Sequence, residues 1–220
     1  AVRVQADNDA PFSATASLEV YRNATAKTSL GRGFCNTYLD IPDTVVPPTA
    51  SGASVTWFHR NDYALAFPGE QPSFYDWSMR QAGVDPAVVA DPYVNLTFGG
   101  VLRGSGLAQA DERTLHGAAR TTRDLTATVL TAQTATADEW LGAARALDAK
   151  TPPSAQALAA HTASWEAFWG RSFVSMPMRG ADEAQATVER QYVYARFLDA
   201  CPTAHRTRDV HPPAAPCRVD

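Results

Sequence analysis

The chain is short of several things that would announce a function. Its 220 residues include three cysteines, Cys35, Cys201 and Cys217. That count is odd, and two of the three lie in the last twenty residues, so no disulfide framework is expected. No apolar run approaches the ~20 residues of a membrane span, and no membrane partner is expected. No charged-then-apolar leader opens the chain, so no signal peptide is visible. Net charge is −4 with the signs interspersed. The basic stripe of a nucleic-acid binder is missing. There is no Gly-x-Ser-x-Gly motif, no cysteine with a placed base, and no internal repeat. What remains is a 45% apolar, 19% charged composition. This belongs to a globular protein with room for one large or two small domains.

Along residues 1–135 the pattern is that of strands. In Ala14–Tyr21 the residues Ala14, Ala16, Leu18 and Val20 share one face. Val2-Arg-Val4 alternates in the same way. Ser54–His59 is rich in β-branched and aromatic residues after a Ser-Gly turn. Leu96–Leu107 carries four glycines, which points to a bulged or tightly turning strand pair. Asp124–Thr131 is a further strand, and a short helix is expected near Ser73–Ala82. Many short strands without intervening helices predict a mainly β fold, an antiparallel β-sandwich. Residues 136–180 read as a helical linker, with Asp138 and Glu139 at the positive end of the first helix. Thr151-Pro-Pro starts the second, in which Leu158, His161, Thr162, Trp165, Phe168 and Trp169 recur at helical spacing. Ser172–Met176 reads as extended, and residues 181–200 as one more helix. Residues 201–220 hold four prolines, three arginines and two histidines, with only Val210 and Val219 as larger aliphatics. Such a tail is expected to be disordered. It cannot cover the helix before it, so the chain is expected to stop short of the part that does the work.

Four segments in order resemble a known family. They are Val55-Thr-Trp-Phe-His-Arg-Asn61, Asp91-Pro…Thr97-Phe-Gly…Arg103-Gly-Ser-Gly106, His161-x3-Trp165-x2-Phe-Trp-x-Arg-Ser172, and Tyr192-x-Tyr-Ala-Arg-Phe-Leu-Asp-Ala-Cys201. Together they look like an uncharacterised bacterial group similar to the six-hairpin glycosidases, such as the α-L-fucosidase-like enzymes. The resemblance implies an N-terminal, super-sandwich-like β domain of unknown function, lacking some upstream strands here, joined to an (α/α)6 toroid. Residues 181–200 would be the toroid's first helix. It further implies a glycoside hydrolase-like parent outside the cytoplasm, secreted or periplasmic, acting on a poly- or oligosaccharide without a cofactor. The catalytic carboxylates would lie in the toroid and none in this chain. The resemblance ends at Cys201-Pro202, and the tail has the composition that an out-of-frame reading of a GC-rich gene would give.

The most function-like cluster is Trp57, His59, Arg60 and Asn61. An aromatic plane stacks on a sugar face while Arg and Asn supply directional hydrogen bonds. The plainer alternative makes Trp57 core, pairs Arg60 with a carboxylate and starts a turn at Asn61. His161, Trp165 and Trp169 carry the same two readings, sugar stacking or helix packing. Glycoside hydrolysis needs two facing carboxylates, and among Asp76, Asp85, Asp91, Asp111 and Glu112 no pair stands out. Arg103-Gly-Ser-Gly106 lacks the strand–loop–helix setting and the Lys-Ser/Thr of a phosphate cradle. Cys201, His205, His211 and Cys217 have zinc-type donors but no finger spacing and no packing residues, so no metal is expected. Asn23-Ala-Thr25 and Asn95-Leu-Thr97 match the glycosylation pattern.

Overall fold

A computed structural model describes residues 1–28, 38–48, 52–62, 65, 74–175 and 183–203. In chain order the elements are β1 (Val2–Ser17), β2 (Ala26–Thr28), β3 (Tyr38–Asp40), β4 (Thr44–Val45), β5 (Ser54–Arg60), α1 (Phe74–Gln81), β6 (Leu96–Gly104), β7 (Ala108–Gln109), β8 (Thr114–Gln133), α2 (Ala137–Ala149), α3 (Ser154–Arg171) and α4 (Glu183–Thr203). The main sheet is antiparallel and has six strands, in the order β1-β8-β6-β5-β4 with β7 also on β8. β2 and β3 form a separate two-stranded ladder. The antiparallel strands match the sequence reading. The fold as a whole is mixed, with four helices as well as the sheet among the described residues, and one face of that sheet is covered by α2.

Strand alternation sets the two faces. Val55 and Trp57 of β5 and Leu102 of β6 join Leu107 and Leu115 in one cluster, with Ala14, Ala16, Leu18, Val45, Leu125 and Ala127 around it. Phe58 and Val101 point the other way and pack on Trp140 and Ala144 of α2. α2, which the sequence groups with the linker, is therefore part of this core. Its start is well specified. Thr136 accepts from the Glu139 N–H at 3.2 Å, and Glu139 reaches back to the Ala135 N–H at 2.9 Å, a reciprocal cap. Lys150 and Thr151-Pro-Pro end it. Trp140 is fully buried, and its ring centroid lies 5.4 Å from that of Phe58. Asp148, near the end of α2, accepts from Arg103 Nε at 2.8 Å and from the Thr128 hydroxyl at 2.8 Å. Both ends of the helix are thus tied to the sheet.

Glycines in β6 serve close approach, not a bulge: the β5–β6 ladder runs without a register shift. A Cβ on Gly99 would land on the Trp57 carbonyl oxygen, and one on Gly100 would meet the Thr128 carbonyl oxygen at 2.5 Å and the Trp57 ring at 3.0 Å. The tight turn comes afterwards, at Gly106 with φ 64°. Arg123 lies under it, only 6% exposed, donating to the Ser105, Gly106 and Ala118 carbonyls.

The chain divides into two compact units, Ala1–Ser154 and Ala155–Asp220. In the second, α3 and α4 meet through aromatic rings. Trp165 stacks on Trp169 and on Phe197, with centroids at 6.0 Å and 5.5 Å. The Arg196 guanidinium lies 4.5 Å from the Phe168 ring centroid and 5.2 Å from that of Trp169. It also donates to the Phe168 and Ser172 carbonyls, satisfying acceptors that the end of α3 leaves open. No residue of α3 is buried. Tyr194 and Leu198 of α4 are 62% and 65% exposed.

Candidate functional site

β5 carries the predicted cluster, and its alternation splits it. Trp57 and His59 lie on the face of Val55; Arg60 lies on the face of Phe58 with α2, and Asn61 follows the strand end. The Trp57 ring lies against Gly100, in the sheet's own cluster. Arg60 makes a structural knot. Its Nη1 donates to the Asn95 carbonyl at 3.2 Å and the Thr97 hydroxyl at 2.9 Å, and its Nη2 to the Thr134 and Ala135 carbonyls at 3.0 and 2.9 Å. The acceptors are carbonyls and hydroxyls, where the sequence reading had offered a carboxylate. Asn61 donates to the Tyr93 carbonyl at 3.1 Å and closes the loop that leads into β6.

His59 is joined by two residues that sequence reasoning did not single out, Arg22 and Asp43. The Asp43 N–H donates to the Arg22 carbonyl at 2.9 Å, which holds the two segments side by side. Asp43 precedes Thr44, the partner of Phe58, so the register carries it to His59. Asp43 Oδ1 lies 2.8 Å from Arg22 Nε and 3.0 Å from His59 Nδ1. Arg22 Nε and His59 Nδ1 are themselves 3.0 Å apart. A bare Nδ1 would turn its lone pair toward the carboxylate oxygen. With its proton on Nδ1, the imidazole donates to Asp43, and the carboxylate oxygen accepts from both neighbours. The side chains of Asp43 and His59 are 11% and 10% exposed, so the junction is largely out of water. Phe98 completes the group: its ring centroid lies 5.2 Å from the His59 ring and 5.3 Å from Arg22 Cζ.

The other candidates resolve into turns and packing. Asp91 Oδ1 accepts from the Tyr93 N–H at 2.7 Å, Asp85 Oδ1 from the Ala87 N–H at 3.0 Å, and Asp111 Oδ1 from the Arg113 N–H at 2.8 Å. The Arg113 N–H, with help from Thr114, holds the Asp111 carboxyl below the usual aspartate range. Asp76 sits in the first turn of α1 and Glu112 is exposed. Burial, then the Asp91 and Asp76 charges, raise the Tyr75 phenol, which donates to the Val89 carbonyl at 3.1 Å. Trp165 has rings stacked on it from Trp169 and Phe197, and the Trp169 ring carries Arg196. Arg103 is paired with Asp148. Asn95 has φ 59°, and Thr97 is fully buried with its hydroxyl on the Asn95 carbonyl. Cys201, His205, His211 and Cys217 lie outside the residues whose side chains are described. Among the described residues no group of three or more His, Cys, Asp or Glu side chains could hold a metal ion, and no helix is long and apolar enough to cross a membrane.

The chemistry of the Arg22–Asp43–His59 group is that of a buried, charge-assisted junction with an aromatic floor. Among the described residues it brings together no nucleophile and no second carboxylate. A model of the family described as a domain of unknown function (DUF5703) matches residues 1–174. The chain belongs to that family. Comparison with curated proteins and with solved structures gives no match.

Proposed function

We propose that this member of the family is the non-catalytic N-terminal portion of a glycoside hydrolase-like protein of carbohydrate metabolism, and that it supports a helical (α/α)6 domain. One observation carries the reading. α3 buries no residue, and α4 leaves Val188, Tyr194, Phe197 and Leu198 between 43% and 65% exposed. A helical pair of this kind is half of an interface. The order of the four family-like segments agrees with it. On this reading the sheet belongs to a larger sandwich, the protein is secreted or periplasmic, and the saccharide is bound by the supported domain.

The test has two arms. The chain should leave aryl glycosides and polysaccharides unhydrolysed. It should also bind an environment-sensitive apolar dye, and Tyr194→Glu with Leu198→Glu should abolish most of that signal. Turnover by the chain, or dye binding indifferent to those substitutions, overturns the proposal.

The second reading is a carbohydrate-binding module using Trp57 and His59. It rests on Phe98, 36% exposed beside His59. It ranks lower because Arg22 already lies over the Phe98 ring and Trp57 lies against Gly100. Oligosaccharide binding in calorimetry, lost in Phe98→Ala with the fold intact, would raise it above the first.

A further inference from the structure

The longest uncommitted backbone belongs to β1. Among the described residues this 16-residue strand has one neighbour, β8, and so one free edge. Its first part is regular: Val2–Asp7 pairs with Ala127–Thr122 residue for residue, and the register shifts only beyond Asp7. Edge strands are usually guarded by proline, lysine, bulges or charges projecting over the edge. Val2–Asp7 has no proline or lysine, and Pro11 falls in the irregular part. Arg3 donates from Nη1 to Ser154 Oγ at 2.7 Å and from Nη2 to the Pro152 carbonyl, which turns it onto its own chain. Val2 and Val4 are 63% and 57% exposed on the sheet face that holds Leu125 and Ala127.

We propose that a second copy of this chain occupies that edge, with two β1 strands paired antiparallel about a two-fold axis at Gln5. A two-fold perpendicular to the sheet keeps each face with its like, so residue i meets residue 10 − i of the partner. Arg3 then stands opposite Asp7 of the other copy, twice, where pairing with that carboxylate replaces its contacts with Ser154 and Pro152. Val4 stands opposite Ala6, twice, on the other face. Moving the axis to Val4 places Arg3 against Gln5 and forfeits both opposite-charge pairs. Moving it to Ala6 places Asp7 against Gln5 and Arg3 against Asp9, which lies beyond the residues regularly paired with β8. Within the regular stretch Val2–Asp7 the charge pattern thus selects one register, and the two main sheets become continuous across the dimer.

The experiment is mass measurement by light scattering at ~50 µM, where weak dimers are populated, at low and high salt. The expected mass is twice 23.6 kDa, falling toward one chain in high salt and in Asp7→Arg, which sets arginine against Arg3. Asp7→Asn should fall between. Gln5→Cys, with Cys35, Cys201 and Cys217 changed to Ser, should form a disulfide-linked dimer under mild oxidation, because opposite Cβ atoms lie ~4.5–5.5 Å apart. Val129→Cys, exposed on the sheet face, should not. A monomer throughout, or a dimer untouched by Asp7→Arg and not cross-linked at position 5, overturns the proposal. If Asp7→Arg misfolds, the cross-link decides. Dye binding by α4 is independent of this interface, so the two proposals fail separately.

Discussion

The two units solve the same problem unequally. The sheet and α2 bury Trp140, Val55, Leu115 and Thr97 completely, from side chains spread over nearly ninety residues of sequence. α3 and α4 are longer helices with more aromatic residues, yet α3 buries nothing. Their contacts are ring on ring and cation on ring, local to one seam. A core made of distant strands closes on itself, whereas this helical pair leaves an apolar side exposed. Burial and exposed apolar surface are thus divided between the units.

The largest effect should come from Trp140→Ala, which empties the sheet's helix-covered side. It should lower unfolding free energy by ~3–5 kcal/mol in denaturant titration, with the fluorescence of Trp165 and Trp169 following a separate transition. A single transition for both units would break the contrast. Trp140 Nε1 is buried without an acceptor among the described residues, so Trp140→Phe should cost much less than Trp140→Ala. Next is Arg60→Met, which strands the Asn95, Thr134 and Ala135 carbonyls at a cost of about 2–3 kcal/mol. Arg60→Lys should recover only part of that, since one ammonium cannot fork to all of them. Smaller again is Arg196→Ala, worth about 1 kcal/mol. It should fray the end of α3 in amide exchange and leave sheet protection unchanged. Smallest is Asp111→Asn. The Arg113 N–H depresses this carboxyl, so its contribution is full above the ordinary 3.8 and is lost as pH falls through the lower folded value. The substitution should remove a slight acid-side slope from stability measured against pH.

Where periodicity reflects burial, the sequence was readable. β5, β6, α1 and α2 all lie close to their expected places, because their side chains alternate between core and water; α4 does so without a buried face. β1 was legible only at its ends. Its middle, Asp7-Asn-Asp-Ala-Pro11, has the composition of a turn and is exposed on both sides. It lies within the strand because the flanking stretches Val2–Asp7 and Ala14–Ser17 pair with β8, and a ladder leaves no mark on hydropathy. The start of β8 was missed for the same reason. At the candidate site, Trp57–Asn61 looked like one cluster because the residues are consecutive, yet a two-residue period sends neighbours to opposite faces. Arg22 and Asp43 were out of reach. Each is a lone charge in a loop, and only the fold brings them to His59.

Gly99 and Gly100 carry one more consequence, for descent. Both positions are closed to any side chain, the first by the Trp57 carbonyl and the second by the Thr128 carbonyl and the Trp57 ring. Lineages that kept this strand pair would be locked to two glycines there, while Trp57 could shrink without penalty from either. Across relatives, strict retention of the pair would record the distance between three strands. It would say nothing of a ligand, and the Gly-Gly in Thr97-Phe-Gly-Gly-Val101 would serve as a fingerprint of architecture in chains that share no chemistry.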